Sequence, residues 1–368
     1  MKPDGFVYDA RAPRIVFGAG SRSSIAGECE RLGVERVLVV CTPGRIDLVA
    51  DLQQLAAGRI GGVFAHARQH VPTIDLDAAR AEEASAGTDG YLAIGGGSAT
   101  GFAKALALQS GYPIIALPTT YSGSEMSPVW GITEACRTIT GRDERVHPRT
   151  VIYDAEVTLT LSPEIAAPSG LNAMAHCVGA LCAPDTSPII ALFAEEGIRV
   201  MSAALPVIAH TPENVAARSD AMYAACLSGL ALGATRMGLH HRLAHLLGGS
   251  YNLPHAETHA VLLPQTASHS GARSPDAMAR IARALGAPDA ARGLYDLAGR
   301  IGAPRSLHEL GMREDQVSQA VAAAAAMERE RGEAWSEAGV HELLQAAYAG
   351  HPPEPVAAAR IRLGEGAQ

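Results

Sequence analysis

The strongest constraint on this chain is an alternation. Over the first 155 residues, short β-rich runs are separated by helical stretches: "RVLVV" (36–40), "YLAI" (91–94), "PIIAL" (113–117) and "TVIY" (150–153), each bounded by Gly, Pro or charge. Parallel strands need a long crossover between them, so this pattern predicts strand–helix–strand units and a parallel sheet. After "LSPEIAAPSG" (161–170) the strand-like runs stop, and Ala/Leu-rich segments with helical spacing continue to about residue 350. "DQVSQAVAAAAAMERERGEAW" (315–335) is one of them, rich in residues that lose little rotamer entropy in a helix. The expectation is an α/β Rossmann-like nucleotide-binding domain over 1–160 and an all-α substrate and catalytic domain over 161–368. The stretch beginning "HPPEP" (351–355) is expected to fray.

With 368 residues, 48% of them hydrophobic, the chain is long enough for two domains with large cores. A net charge of −8 without a basic stripe argues against nucleic acid. The charged start "MKPDGFVYDARAPR" and the lack of a long uncharged apolar run argue against a membrane and for a soluble, cytoplasmic protein. Cysteines at 29, 41, 136, 177, 182 and 226 form no C-x-x-C pair and are read as small buried hydrophobes.

Two glycine turns compete for a phosphate. "VFGAGSRSS" (16–24) gives G-x-G-x-x-S, with Ser23 in place of the third glycine, and reads as a plain strand-to-helix turn. "YLAIGGGSATGFAKALAL" (91–108) is the better cradle: Gly95, Gly96, Gly97 and Ser98 open straight into a helix, whose first N–H groups and positive dipole end suit a pyrophosphate. "LPTTYSGSEMSP" (117–128) adds Thr119, Thr120, Ser122 and Ser124 after another strand. At the end of the 36–40 run, where an acidic residue would bind a ribose 2′-hydroxyl, stand Cys41 and Thr42 with Arg45 nearby, so discrimination against NADP is expected to be weak.

The histidines are the second cluster. Five lie between 238 and 260, at 240, 241, 245, 255 and 259, and Asn172 and His176 share one helical face four residues apart. If a metal binds, Asn172, His176, His241 and His255 are its candidate ligands. A divalent site normally includes a carboxylate or thiolate, however, and Asn172 supplies neither. Imidazoles without a metal can donate hydrogen bonds or protons instead.

These motifs together resemble the iron-containing alcohol dehydrogenase superfamily and, within it, the maleylacetate reductase branch. The likeness runs from Arg14 to about Pro264 and is carried by "GGGSATGFAKA" (95–105), "PTTYSGSEMSPVWGIT" (118–133), "TGRDERVHPRTVIYD" (140–154), "GLNAMAHCV" (170–178), "GLHHRLAH" (238–245) and "LPHAETHAVLLP" (253–264). "TTYSGSEM" and "PHAETHAV" are specific to the reductase branch. The resemblance implies a Rossmann-like domain followed by a helical one, an interdomain active-site cleft and a homodimer. It also implies reduction of the carbon–carbon double bond of maleylacetate by NADH or NADPH, giving 3-oxoadipate in aromatic-ring degradation. Metal-using relatives have an aspartate where this chain has Asn172; the reductase branch similarly carries asparagine and is regarded as working without metal. Gly179 and Gln265 depart from the branch, where glutamate and histidine are common.

The implied mechanism lays NAD(P)H across residues 95–98, with its nicotinamide near Thr119, Thr120 and His245. Hydride adds β to the 4-oxo group, and His241 or His245, with His176, stabilises the enolate oxygen and delivers the proton. Tyr121, Asn172, His255 and Arg242 are expected to touch the dicarboxylate substrate, with Arg142 and Arg145 as further cations. His240 and His259 are read as supporting or merely packed. Two rival readings are a metal-dependent dehydrogenase of a small alcohol or aldehyde, and an inactive cofactor-binding paralogue.

Overall fold

The computed structural model describes residues 6–10, 13–69, 71–134, 137–271, 273–331 and 336–354. Cys136, residues 332–335 of the expected 315–335 helix, and the expected frayed end from 355 onward lie outside the described residues.

Two compact units divide the chain. The first comprises Tyr8–Ser162 and Pro212–Ala234. Its strands are β1 (Arg14–Phe17), β2 (Val37–Cys41), β3 (Ile60–Phe64), β4 (Gly90–Gly95), β5 (Ile114–Pro118), β6 (Val129–Glu134), β7 (Arg137–Arg142) and β8 (Thr150–Tyr153). Helices α1 (Ile25–Leu32), α2 (Ile46–Leu55), α3 (Thr73–Ala86) and α4 (Gly97–Ser110) connect the strands through β5. Six strands form one parallel sheet in the order β1-β8-β5-β4-β2-β3, while β6 and β7 make a separate antiparallel hairpin. Every residue of β2, β4, β5 and β8 is buried, which is why these strands read as continuous apolar runs rather than alternating ones. β3, "IGGVF", lacks such a run and gave no strand signal.

Register places the future site. Cys41 pairs with Ile94, and Gly95 pairs with Pro118, so β2, β4 and β5 end almost level. The loops beginning at Thr42, Gly96 and Thr119 therefore emerge side by side at the carboxyl edge. The order reverses between β2 and β4, the topological switch point where open α/β sheets bind ligands.

The second unit holds Pro163–Thr211 and the described residues from Thr235 onward. It contains α5 (Pro163–Cys182), α6 (Pro188–His210), α8 (Leu239–Tyr251), α9 (His255–Gly271), α10 (Pro275–Leu285), α11 (Ala290–Arg300), α12 (Glu314–Arg331) and α13 (Glu337–Ala349). α5 is long and apolar enough to cross a membrane, an exception to the expected lack of such a run, but 83% of its apolar window is buried inside the protein, as in a core helix.

The helix between α6 and α8, α7 (Val215–Ala234), departs from a single boundary at residue 160 because it belongs to the sheet unit. Arg218 on α7 is fully buried and donates to the carbonyls of Pro212 and Leu161 and to the Tyr121 hydroxyl. Gly229 lets the helix meet the loop after β5: a Cβ there would lie 2.7 Å from both the Gly123 carbonyl oxygen and Met126 Cβ. Gly229→Ala is therefore expected to destabilise this unit by about 1–3 kcal/mol. A lowered thermal midpoint would register it, and an unchanged midpoint would contradict the close approach.

Candidate active site

The two glycine turns have different fates. In the Gly18–Gly20 turn the chain fills the anion position itself. Asp154, just after β8 and fully buried, accepts from the Gly20 and Arg22 backbone N–H groups at 2.9 and 3.1 Å, and from the Arg22 guanidinium at 2.8 Å. This turn is structural. Asp154 in "TVIYDAEV" was the signal to read: a carboxylate one residue past a strand, beside a strand-to-helix turn.

The Gly95–Ser98 loop is built differently. Gly96 caps α4 without a side-chain hydrogen bond, leaving the first backbone donors of the helix uncommitted to any cap. A Cβ on Gly96 would lie 2.6 Å from Thr120 Oγ1, and one on Gly97 would come within 3.8 Å of Ser122. The two loops expected to bind a nucleotide are thus one surface, and any side chain at 96 would force Thr120 to shift. Thr119 donates its backbone N–H to Gly95 at 3.0 Å, and its own Oγ1 is buried without a hydrogen-bond partner. Thr120 and Thr42 are half-buried, and so is Ser98 at the start of α4. This surface fits a dinucleotide's pyrophosphate: a helix N-terminus, a backbone bare of side chains and flanking hydroxyls.

Sequence reasoning missed what holds this surface. Lys104, on α4, is fully buried and donates to the carbonyls of Ser124 and Val129 at 2.7 and 2.9 Å. Ser124, expected at the cofactor, thus also spends its carbonyl on this strut. Burial brings the Lys104 ammonium down to about 7. Glu125, also fully buried, accepts from Tyr153 at 2.8 Å and from Ser122 at 3.2 Å, and burial raises its pKa. A lone lysine inside the alanine-rich "GFAKALAL" was the available hint. Tyr121 is corrected: it has no accessible surface and its hydroxyl meets Arg218, so it braces the loop rather than facing substrate. Arg145 is committed to Asp143 at 2.7 Å, and Arg142 donates to the Gly233 carbonyl. Arg45 donates to Thr160 at 2.7 Å, and no acidic residue lies between Cys41 and Arg45.

The second unit gathers the histidines. From α5, α8 and α9, six rings form a continuous cluster. His176 stacks on His241 with centroids 5.0 Å apart, and His241 lies 5.0 Å from His259. His259 lies 4.6 Å from His255, which lies 5.7 Å from His245. His240 Nε2 meets His259 Nδ1 at 2.8 Å, and His240 Nδ1 meets Thr266 Oγ1 at 2.9 Å. The cluster has a wet and a dry side: His245 is exposed and His255 half-buried, whereas His176, His240, His241 and His259 are buried. Arg242, next to His241 on α8, is half-buried.

Burial, with no carboxylate acting on these rings among the described residues, favours the neutral form. It pushes His176 and His240 down to about 3, and His241 and His259 well below the ordinary imidazole range, with neighbouring imidazoles acting in the same direction. The buried polar atoms without a hydrogen-bond partner concentrate here: Asn172 Oδ1, His176 Nδ1, both nitrogens of His241 and His259 Nε2. Such a grouping fits a polar ligand, since orphaned buried polar atoms are costly.

A cation fits poorly. The donor set of Asn172, His176, His241 and His255 carries no negative charge. Among the described residues no group of three or more His, Cys, Asp or Glu side chains is disposed to hold a metal ion. Position 179, where a glutamate could have supplied an anion, is a glycine whose Cβ would lie 3.8 Å from His241 Nδ1. Gln265 instead donates its amide to the His351 carbonyl at 2.6 Å.

Comparison with known proteins agrees with this architecture. Residues 12–155 match the iron-containing alcohol dehydrogenase family, and residues 166–348 match the C-terminal part of the Fe-containing alcohol dehydrogenase family. Maleylacetate reductase of Burkholderia cepacia is 50% identical over 320 residues, covering 86% of this chain and 90% of that one. Maleylacetate reductase of Pseudomonas sp. strain P51 is 43% identical over 350 residues, covering 95% and 99%. The crystal structure of maleylacetate reductase from Agrobacterium tumefaciens superposes with a TM-score of 0.89 at 43% identity, covering 95% of this chain and 99% of that one. The chain belongs to the iron-containing alcohol dehydrogenase family, and within it stands with the maleylacetate reductases.

Proposed function

We propose that this chain reduces the carbon–carbon double bond of maleylacetate, or a close 4-oxo-2-enedioate, to the 3-oxoadipate-type product with NADH or NADPH. The observation that carries the reading is the 50% identity with a maleylacetate reductase over 86% of the chain. The uncharged imidazole cluster around Asn172 supports the same reading, and supports turnover without a bound metal.

Gly95, Gly96, Gly97, Ser98, Thr119, Thr120 and Ser124 hold the nucleotide, with Thr42 beside its ribose. Without an acidic residue at Thr42, neither nucleotide is strongly rejected. When bound, the nicotinamide supplies a hydride to the alkene carbon β to the 4-oxo group. Negative charge then develops on the ketone oxygen, and this chain's residues hold it. His241 and His176, kept neutral by burial, serve as dipolar N–H donors in a water-poor site, where such bonds are worth most. A neutral imidazole is a weak proton donor, so delivery of the proton to carbon falls to His245, the exposed member of the cluster. Asn172, His255 and Arg242 bind the dicarboxylate.

The free cysteines among the described residues support a reducing compartment, the cytoplasm. Exposed Ile15 and Phe17 on edge strand β1 support a homodimer.

His245→Ala is expected to lower kcat for maleylacetate by about 10²-fold or more, as loss of an acid–base group does. NADH oxidation read at 340 nm measures it, and unchanged turnover would remove His245 from the chemistry. NADPH is expected to replace NADH in the parent enzyme, and a strict requirement for one nucleotide would contradict the reading of Thr42.

Stability follows the same charges. Unfolded imidazoles titrate near 6.5, while folded His176 and His240 do so near 3, so between these values the unfolded chain holds protons that the folded chain refuses. This contribution is complete above about pH 6.5 and is lost as pH falls toward 3. Denaturant midpoints are expected to drop between roughly pH 6.5 and 5, with uptake of about two protons or more on unfolding. A flat midpoint over that window would contradict neutral burial.

A further inference from the structure

The row that ends at Thr266 carries more information than its distances. Thr266 Oγ1 lies 2.9 Å from the Leu262 carbonyl and 3.1 Å from the Leu263 carbonyl, one helical turn back on α9. Oxygen lone pairs facing each other at such distances repel, so the single hydroxyl hydrogen must point at these carbonyls. Toward His240 Nδ1, 2.9 Å away, Thr266 can then only accept, and His240 must carry its proton on Nδ1.

Both rings of the next pair are buried, and among the described residues only other imidazoles act on their charge, so each holds one proton. With its proton on Nδ1, His240 offers a lone pair at Nε2. The 2.8 Å contact to His259 Nδ1 is then a bond donated by His259. This leaves the His259 proton on Nδ1 and a lone pair on Nε2, an atom that is buried without a partner. Among the neighbouring rings, the half-buried His255 has the shortest centroid separation from His259, 4.6 Å at 67°.

We propose that Thr266 and His240 are positioning residues that lock His259 as the Nδ1–H tautomer, leaving its Nε2 as an open acceptor inside the cluster, beside the His255 ring. The row ends on main-chain carbonyls, so it cannot pass a proton onward; it is an anchor and not a wire. Its part in catalysis, through the acceptor it offers beside His255 and His245, rests on the reductase reading above; the tautomers themselves do not.

Long-range ¹H–¹⁵N spectra of the full-length protein labelled with ¹⁵N-histidine, recorded without ligand at pH 7.5, distinguish the two neutral tautomers. His240 and His259, assigned by substitution, are expected as Nδ1–H, the minor form of free imidazole. An Nε2–H signature for either ring overturns the proposal. Thr266→Val preserves shape and removes the acceptor, so both rings are expected to flip to Nε2–H, and kcat for maleylacetate to fall about fivefold, the weight of one hydrogen bond. Thr266→Ser should restore both tautomers and rate. A Thr266→Val protein whose two rings keep the Nδ1–H form, or whose kcat equals the parent's, overturns it as well. Because the spectra need no substrate, absence of turnover in the parent protein would refute the reductase reading and leave the tautomer result decisive by itself.

Discussion

The burial of several imidazoles together without a carboxylate is the constraint around which the helical unit is organised. Each buried ring must stay neutral, because charging it would cost several kcal/mol in a site with no counter-ion. Neutral rings have both a donor and an acceptor, so the cluster needs an ordered pattern of tautomers. Thr266 supplies the fixed end of that pattern, and exposed His245 the end that exchanges with solvent. Asn172 belongs to the same logic: an aspartate there would bring the charge that draws in a cation, whereas the amide leaves the site uncharged.

The sheet unit solves a separate problem, that of offering bare backbone to an anion. Parallel pairing brings the ends of β2, β4 and β5 level, and the Gly96–Thr120 contact welds the two loops into one surface. Buried Lys104 and Glu125 then hold the second loop from beneath. Asp154 shows how the fold silences a competing turn: its carboxylate occupies the donors that Gly18–Gly20 would otherwise present.

The alternation of apolar runs made the core strands legible, because strands covered on both faces must be apolar throughout. Helical spacing likewise paired Asn172 with His176 and grouped the five later histidines. Spacing along one chain could not show that α5, α8 and α9 would bring six rings together, nor which would stay wet. It also could not send α7 back to the sheet unit, a choice made by Arg218 and by the missing side chains of Gly229 and Gly233. Tyr121 was misplaced because a polar aromatic in a ligand loop looks like a contact residue until its buried partner Arg218 is known.

On the function proposed above, the imidazole cluster works as an uncharged polar site and not as a metal centre, despite the family's name. Metal content and turnover measured on the same purified sample test it most directly, before and after exhaustive chelation. Full turnover of maleylacetate is expected from protein holding far less than one metal ion per chain, unchanged by chelator. Activity that scales with bound iron or zinc, vanishes on chelation and returns on adding the metal back would contradict it.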